Sequence, residues 1–257
     1  MNEFKVAWMF PDTLFLHGER GNLLALARYA QMAGLKPSID KIDFSTEKFD
    51  PWMYDVLFFG PGEISSFPEI LKWLKPYVDD LTEFVREGGP IIVTGTTVGL
   101  FGDKVIRADG SEFDCLGIIY TTFKENENVY GDDIYFKCRY NDAEMEIIGN
   151  QIQMGDITLV DELPFGELIY GYGNSGTNLQ EGVIKNNSIF TNTLGPMLVT
   201  NPWLTEEIIR VCMRSRGYGE AEFDYDMELE RKSFESKKRL IMTKETHLTN
   251  CPREKEE

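Results

Sequence analysis

Short apolar runs and amphipathic stretches alternate along the first hundred residues. Consecutive or alternating apolar residues predict strands at Lys5–Phe10, Lys36–Ile42, Tyr54–Phe59 and Ile91–Val93. Helical spacing of apolar residues predicts helices over 23–33 and 68–87, between those strands. This order of elements predicts an α/β fold with a parallel, doubly wound sheet.

Polar residues and glycines mark the ends of the two predicted helices. Asn22 is a suitable N-cap for the first helix, and Gly34 stops it. The pair Gly88-Gly89 ends the second helix and separates it from the strand at 91–93. We therefore expect short connections between consecutive elements of the sheet.

The pattern changes after Gly102, where short alternating segments predict antiparallel strands. These are Lys104–Ala108, Gly117–Thr122, Asp133–Arg139 and Glu144–Ile148, followed by a strand pair around Gly182–Val183 and Ser188–Thr191. A flexible glycine-rich loop is predicted at 171–178, and a last helix at 204–213 with Thr205 as its N-cap. The predicted architecture is a parallel or mixed sheet flanked by helices, with antiparallel strands in the second half.

Dense mixed charge begins at Tyr218. We expect one domain over 1–217 and a charged C-terminal tail over 218–257. The tail is interpreted as a frayed polar segment, because it carries few apolar residues. The alternative is an exposed helix over 228–240 that docks on a partner chain.

Three loops at the carboxyl ends of predicted strands form a candidate site, at 16–22, 60–63 and 94–99. The last loop belongs to a strand–turn–helix of the kind that presents a nucleophile at its tip. Here the tip holds neither Cys nor Ser. The candidate pocket residues are His17, Glu19, Arg20, Gly60, Gly62, Glu63, Thr94, Gly95, Thr96, Thr97 and Asn174.

The chain has 257 residues and a formal net charge of −17. This charge argues against nucleic acid or an anionic membrane as a partner, since both need a basic face. The sequence has no apolar run that could span a bilayer and no signal peptide, so we expect a cytoplasmic protein. Its four cysteines form no CxxC pair, and neither His17 nor His247 lies at metal-ligand spacing from them. We expect neither a metal nor a cofactor.

Five segments match the motifs of one known family in order and spacing. They are Leu16–Asn22, Phe59–Glu63, Pro90–Gly102, Gly173–Gly176 with Glu181-Gly182, and Leu194–Leu198 with Asn201-Pro202. Over residues 5–214 the chain thereby resembles the glutaminase subunit of lipid II isoglutaminyl synthase. That subunit belongs to the cobyric-acid-synthase-like (CobB/CobQ) branch of class I glutamine amidotransferases. The resemblance implies a flavodoxin-like class I fold and a Mur-ligase-like synthetase as partner.

Two departures from the family motifs concern the residues that carry the chemistry. The catalytic Cys of the family falls on Gly95, and the catalytic His falls on Leu194. The acid of the first loop is retained in kind as Glu19. Glutamine hydrolysis in the family needs a thiolate to attack the amide and an imidazole to protonate the leaving ammonia. Neither Gly95 nor Leu194 offers such a group.

Other residues near these loops are candidates to replace the missing catalytic groups. A Thr nucleophile at 94, 96 or 97 would need a base, so hydroxyls bonded to local backbone are the simpler interpretation. Cys115 follows the elbow motif and fits a small core residue. His17 fits a polar loop residue, and Glu19 and Arg20 fit loop stabilisation.

The leading hypothesis is a catalytically inactive relative with a structural or regulatory role beside a Mur-ligase-like synthetase. A second hypothesis is an active enzyme with remodelled amidase or amidotransferase chemistry that uses His17, Glu19 and the threonines. A third is a sensor that binds glutamine or a related small molecule in the relic pocket.

Overall fold

The computed structural model describes residues 2–244. The strands are β1 Glu3–Met9, β2 Lys36–Ile42, β3 Val56–Phe59, β4 Ile91–Thr94, β5 Lys104–Ile106, β6 Glu112–Asp114, β7 Thr121–Tyr140, β8 Ala143–Leu159, β9 Gly166–Tyr170, β10 Gln180–Glu181, β11 Val183–Lys185 and β12 Ser188–Thr191. The helices are α1 Arg20–Met32, α2 Phe67–Leu74, α3 Val78–Arg86, α4 Val98–Phe101, α5 Met197–Thr200, α6 Pro202–Ser215 and α7 Glu228–Thr243.

The first sheet has the strand order β11-β12-β4-β3-β1-β2. Strands β12, β4, β3, β1 and β2 run parallel, and β11 adds an antiparallel edge. All residues of β3 and β4 are buried, because helices and residues of the second sheet pack on both faces of the first sheet. The predicted α/β fold with a parallel sheet is confirmed, and the loops after β1, β3 and β4 leave the same end of this sheet.

The second sheet has the order β10-β9-β7-β5-β6, with β8 paired to β7. The antiparallel character predicted for this half is confirmed except for the parallel pair β5–β7, and β7 and β8 are longer than expected. The segments predicted at 133–139 and 144–148 belong to the hairpin β7–β8, which shifts register between Glu125 and Tyr130. Residues 117–120 precede β7 and are not a strand, and β5 ends at Ile106 rather than 108.

Three helix predictions were wrong in their bounds or caps. The helix predicted over 68–87 is divided into α2 and α3 by a 3-10 turn at Lys75–Tyr77, because Pro76 has no amide hydrogen to continue the helix. Asn22 lies inside α1 instead of capping it, since the helix begins at Arg20. Thr205 likewise lies inside α6, which begins at Pro202, and its hydroxyl donates to the carbonyl of Leu198 at 2.7 Å.

The described part of the charged C-terminal segment contains a packed helix, so the frayed interpretation fails for residues 228–243. Helix α7 lies against β7 and β8, where Phe234 meets Trp203 edge to face with ring centroids 4.8 Å apart. Ile241 is also buried, and three lysines of this segment pair with carboxylates of the hairpin: Lys237 with Asp133, Lys238 with Glu146, and Lys244 with Asp132 and Asp133. His247 and Cys251 lie outside the described residues. No helix within residues 2–244 combines the length and apolarity of a membrane span.

Asn201 joins α6 to the outer edge of β8. Its Oδ1 accepts the Ile148 amide hydrogen at 2.9 Å, and its Nδ2 donates to the carbonyls of Ile148 and Met197, each at 2.8 Å. The side chain is fully buried, so no water replaces these bonds when it is removed.

We expect Asn201→Ala to lower the free energy of unfolding by about 2 to 4 kcal/mol, because two buried backbone groups of Ile148 lose their partner. Urea unfolding of the variant measures this loss. Asn178→Ala is the matched control, since Asn178 is exposed and accepts one local amide hydrogen from Gln180. Equal losses in the two variants would show that the Asn201 bonds have no special weight.

Candidate functional site

The turn after β4 has the geometry of a nucleophile elbow with its tip filled by neighbours. Gly95 has φ +64°, in the left-handed region that favours glycine. A Cβ built on Gly95 would lie 2.8 Å from Cβ of Pro61 and 3.3 Å from Cδ2 of Leu194. The first separation is too short for two carbon atoms. The space that a cysteine side chain would need is therefore occupied, and Leu194 faces the elbow from the opposite side.

The two threonines after Gly95 bind the loop that follows β3. The Thr96 hydroxyl donates to the Gly62 carbonyl at 2.6 Å, and its oxygen lies 3.3 Å from the Gly62 amide nitrogen. The Thr97 hydroxyl donates to the Gly60 carbonyl at 2.7 Å. Both hydroxyls are buried and used in backbone bonds, but to the neighbouring loop rather than to local backbone as predicted. The Gly62 amide hydrogen, which points toward the elbow, is thus directed to the Thr96 hydroxyl. The Thr94 hydroxyl, for which the same was predicted, is buried without a hydrogen-bond partner within the described residues.

Glu19 is a buried carboxyl group at the start of α1. Its Oε1 accepts the Gly195 amide hydrogen at 2.9 Å, and its Oε2 accepts from Nδ2 of Asn22 at 2.6 Å. Asn22 in turn accepts the Leu198 amide hydrogen at 2.8 Å. Burial raises the pKa of Glu19 to about 7, although the bonds from Gly195 and Asn22 and the nearby Thr94 hydroxyl favour the ionised form. This network fixes the 194–198 segment over the elbow.

Three of the predicted pocket residues are exposed at the rim. His17, Arg20 and Glu63 have exposed side chains. His17 also has φ +60°, which is uncommon for a residue with a side chain. Among residues 2–244, no hydroxyl or thiol forms a hydrogen bond with His17 through which it could be activated.

The predicted Gly173–Gly176 loop is held by Asn174, which is fully buried. Its Oδ1 accepts the Gly182 amide hydrogen at 2.7 Å, and its Nδ2 donates to the Gly182 carbonyl at 3.0 Å. Asn174 therefore ties this loop to the Glu181-Gly182 pair. These two bonds attach the loop at Asn174, while its flexibility stays a prediction.

The three cysteines in the described range lie away from the elbow. Cys115 packs in the core near β5 and β6, and burial raises the pKa of its thiol to about 12. Cys138 and Cys212 are buried in the core on the other side of the first sheet. A cavity of about 1160 Å³ between α6, α7 and the β7–β8 hairpin is lined by none of the predicted pocket residues.

Sequence reasoning identified Gly95, Leu194 and Glu19 but missed two participants. Pro61 was part of a matched motif, yet its role in filling the elbow was not foreseen. The available signal was the proline between Gly60 and Gly62, in a loop expected to lie near Gly95. Glu181 was also in a motif; its buried carboxyl accepts from Thr191, Asn192 and Thr193. Its spacing gave no indication that the side chain points inward.

The sequence of this chain is similar to those of two known proteins. No protein-family model matches the chain. The chain is 27% identical over 236 residues to subunit GatD of the glutamine-hydrolysing lipid II isoglutaminyl synthase of Staphylococcus aureus (strain N315), covering 90% of this chain and 94% of the relative. It is 24% identical over 221 residues to the subunit of the same name from Streptococcus pneumoniae (strain R6), covering 85% and 83%.

A chain in the structure of PurLQS from Thermotoga maritima has a similar fold, with a TM-score of 0.53. The match covers 84% of this chain and 99% of that chain at 9% sequence identity. At such low identity the likeness concerns the fold alone.

Proposed function

We propose that this chain is a subunit that does not itself hydrolyse glutamine. The premise is that it is a glutamine amidotransferase-like protein of class I fold related to GatD. Its role is structural or regulatory, in the amidation of lipid II or a related cell-wall peptide. The observation that carries the proposal is the filled elbow, where Gly95 faces Pro61 and Leu194.

The chemistry of amide hydrolysis supports this proposal. An attacking group must form a bond to the amide carbon, and an acid must protonate the departing ammonia. Gly95 has no side chain to attack, and Leu194 has no proton to give. Loss of one member of such a unit already costs several powers of ten in rate. The bonds of Thr96 and Thr97 to the neighbouring loop supply no substitute nucleophile.

The retained acid supports a structural use of the former site. Glu19 does not orient an imidazole here, and instead accepts the backbone amide hydrogen of Gly195. A group that orients a catalytic base in an active relative would thus hold a loop in this chain. The fold is kept, while the residues at the positions that are catalytic in the family take part in packing.

The partner is proposed from the names of the relatives, which are subunits of a synthase. We propose a Mur-ligase-like synthetase as the partner of this chain, with both acting in the cytoplasm. In this arrangement the synthetase would hold the cell-wall peptide, and this chain would shape or stabilise the synthetase.

The test is a glutamine turnover assay of the purified protein, alone and with a co-expressed Mur-ligase-like synthetase. We expect no glutamate or ammonia above background, because no nucleophile reaches the elbow. A hydrolysing GatD relative assayed in parallel shows that the conditions support turnover. Co-purification of the synthetase with this chain tests the partner role separately.

Thr96→Ala and Cys115→Ala serve as controls for contaminating activity. Turnover that stays with the protein at constant specific activity through further purification and survives in both variants would overturn the proposal, because other residues of this chain would then hydrolyse glutamine. Turnover that falls in either variant, with its melting temperature kept, would overturn the proposal, because a residue of this chain would then be responsible.

A further inference from the structure

The segment 191–195 lies over the elbow and is bound at both ends by a buried carboxyl group. At one end, Oε1 of Glu181 accepts from the hydroxyl of Thr191 at 2.5 Å and from that of Thr193 at 3.1 Å. The same oxygen accepts the amide hydrogen of Asn192 at 3.0 Å. At the other end, Glu19 accepts the amide hydrogen of Gly195. Leu194, which covers Gly95, lies between these two attachments.

In the part of the chain that the structure describes, neither carboxyl group has a cationic partner. The groups that bind Glu19 and Glu181 are hydroxyls, amides and backbone N–H groups, all of them neutral. Oε2 of Glu181 is buried and has no hydrogen-bond partner within the described residues. An ionised carboxylate in this setting lacks both water and a counter-charge, which is a costly state.

The charged groups on the neighbouring elements are exposed or engaged elsewhere. Around Glu19, the side chains of His17 and Arg20 on its own loop and of Glu63 on the loop after β3 are exposed, and β4 carries no charge. Around Glu181, the titratable groups on neighbouring strands include Glu167 of β9, Asp133 of β7, Asp156 of β8 and Lys185 of β11, which pairs with Glu162. Glu167 is exposed; Asp133 pairs with Lys237 and Lys244, and Asp156 accepts from Asn126 and Gln153.

From this geometry we propose that protonated Glu19 and Glu181 hold the 191–195 segment over the elbow, and that ionisation of either group favours opening of the segment. Opening exposes the carboxylate to water and removes the cost of an unpaired buried charge. Burial raises the pKa of each group to about 7, so both change state near neutral pH. The inference goes beyond the proposed function and holds whether or not the site has activity.

The test is amide hydrogen exchange of the whole protein, measured by NMR from pH 5 to 8. After correction for the intrinsic pH dependence of exchange, protection of the Asn192, Leu194 and Gly195 amides should fall as the pH rises to about 7 and then level off. The expected fall is up to about tenfold per pH unit for each carboxyl group that ionises on opening. Amides of β4, in the middle of the first sheet, report global unfolding, so at each pH they should be better protected than the amides of the segment.

Glu19→Gln and Glu181→Gln keep the shape of the side chain and remove its charge, so each should flatten the pH dependence. Glu63→Gln is the matched control, because it removes the same charge from an exposed position near the elbow. An unchanged pH dependence in both buried-site variants, or protection of the segment equal to that of β4 at every pH, would overturn the proposal. If a variant fails to fold, the carboxyl ¹³C shifts of the natural protein decide, and midpoints below pH 5 contradict the proposal.

Discussion

The free energy of unfolding is expected to fall as the pH rises from 5 to 8, opposite to the usual loss of stability in acid. The pKa of Glu19 and that of Glu181 are raised in the folded protein to about 7, from an ordinary value of 4.5. The folded state therefore binds their protons more tightly than the unfolded state. Their contribution to stability is fully present below pH 4.5 and is lost as the pH rises through 7.

Between pH 5 and 7 the expected loss is about 2 kcal/mol for each group, because the slope approaches about 1.4 kcal/mol per pH unit only between the two pKa values. Opening of the 191–195 segment would relieve part of this loss of stability. Carboxylates with lowered pKa values, such as Asp132 and Asp133, lose their stabilising effect only at more acidic pH. Urea unfolding at half-unit pH intervals measures the slope.

Glu19→Gln should reduce that slope by the share of one group, and the double variant with Glu181→Gln should remove most of it. Glu63→Gln should leave it unchanged, since Glu63 is exposed. A stability that is flat or increases from pH 5 to 7 in the natural protein would show that neither group is held in its neutral form.

Gly95→Ala is expected to destabilise the protein by about 2 to 5 kcal/mol. The left-handed backbone of Gly95 costs about 1 to 2 kcal/mol for a residue with a Cβ. The new methyl group would also meet Cβ of Pro61 at 2.8 Å, and such overpacking costs about 1 to 3 kcal/mol. Equilibrium unfolding in urea measures the sum.

Gly34→Ala separates the two causes. Gly34 ends α1 with φ +79°, and an added Cβ would meet no atom within 4 Å. Its loss should therefore be about 1 to 2 kcal/mol, from the backbone alone. Adding Pro61→Gly to Gly95→Ala should recover part of the difference. If the Gly95 and Gly34 variants lose the same stability, Pro61 does not fill the elbow.

The parallel strands could be predicted from the sequence because each one is a short apolar or alternating run between clear breaks. Strand β2 has the predicted bounds, 36–42, directly after the helix stop at Gly34. Pro76 was a visible sign that the helix over 68–87 would divide, but its apolar spacing continued across the proline. The cap at Asn22 was misplaced because its side chain bonds Glu19 and the distant Leu198 instead.

The candidate site could be predicted only as far as local motifs reach. Gly95 and Leu194 were recognised by position, and the left-handed backbone of Gly95 agrees with the predicted turn. The attachments of Glu181 could not be predicted, because they join residues ten to twelve positions apart through the fold. The packing of α7 was missed for a similar reason. Few of its residues are apolar, and its lysines find carboxylates about a hundred positions earlier in the chain.

The contact between Pro61 and the space above Gly95 also limits how this chain could change by mutation. A thiol introduced at 95 would meet Pro61, and an imidazole introduced at 194 would face no sulfur. Each single step is thus harmful or without benefit until the others are in place. A Cys–His pair at these positions would therefore need replacements at 61, 95 and 194 together.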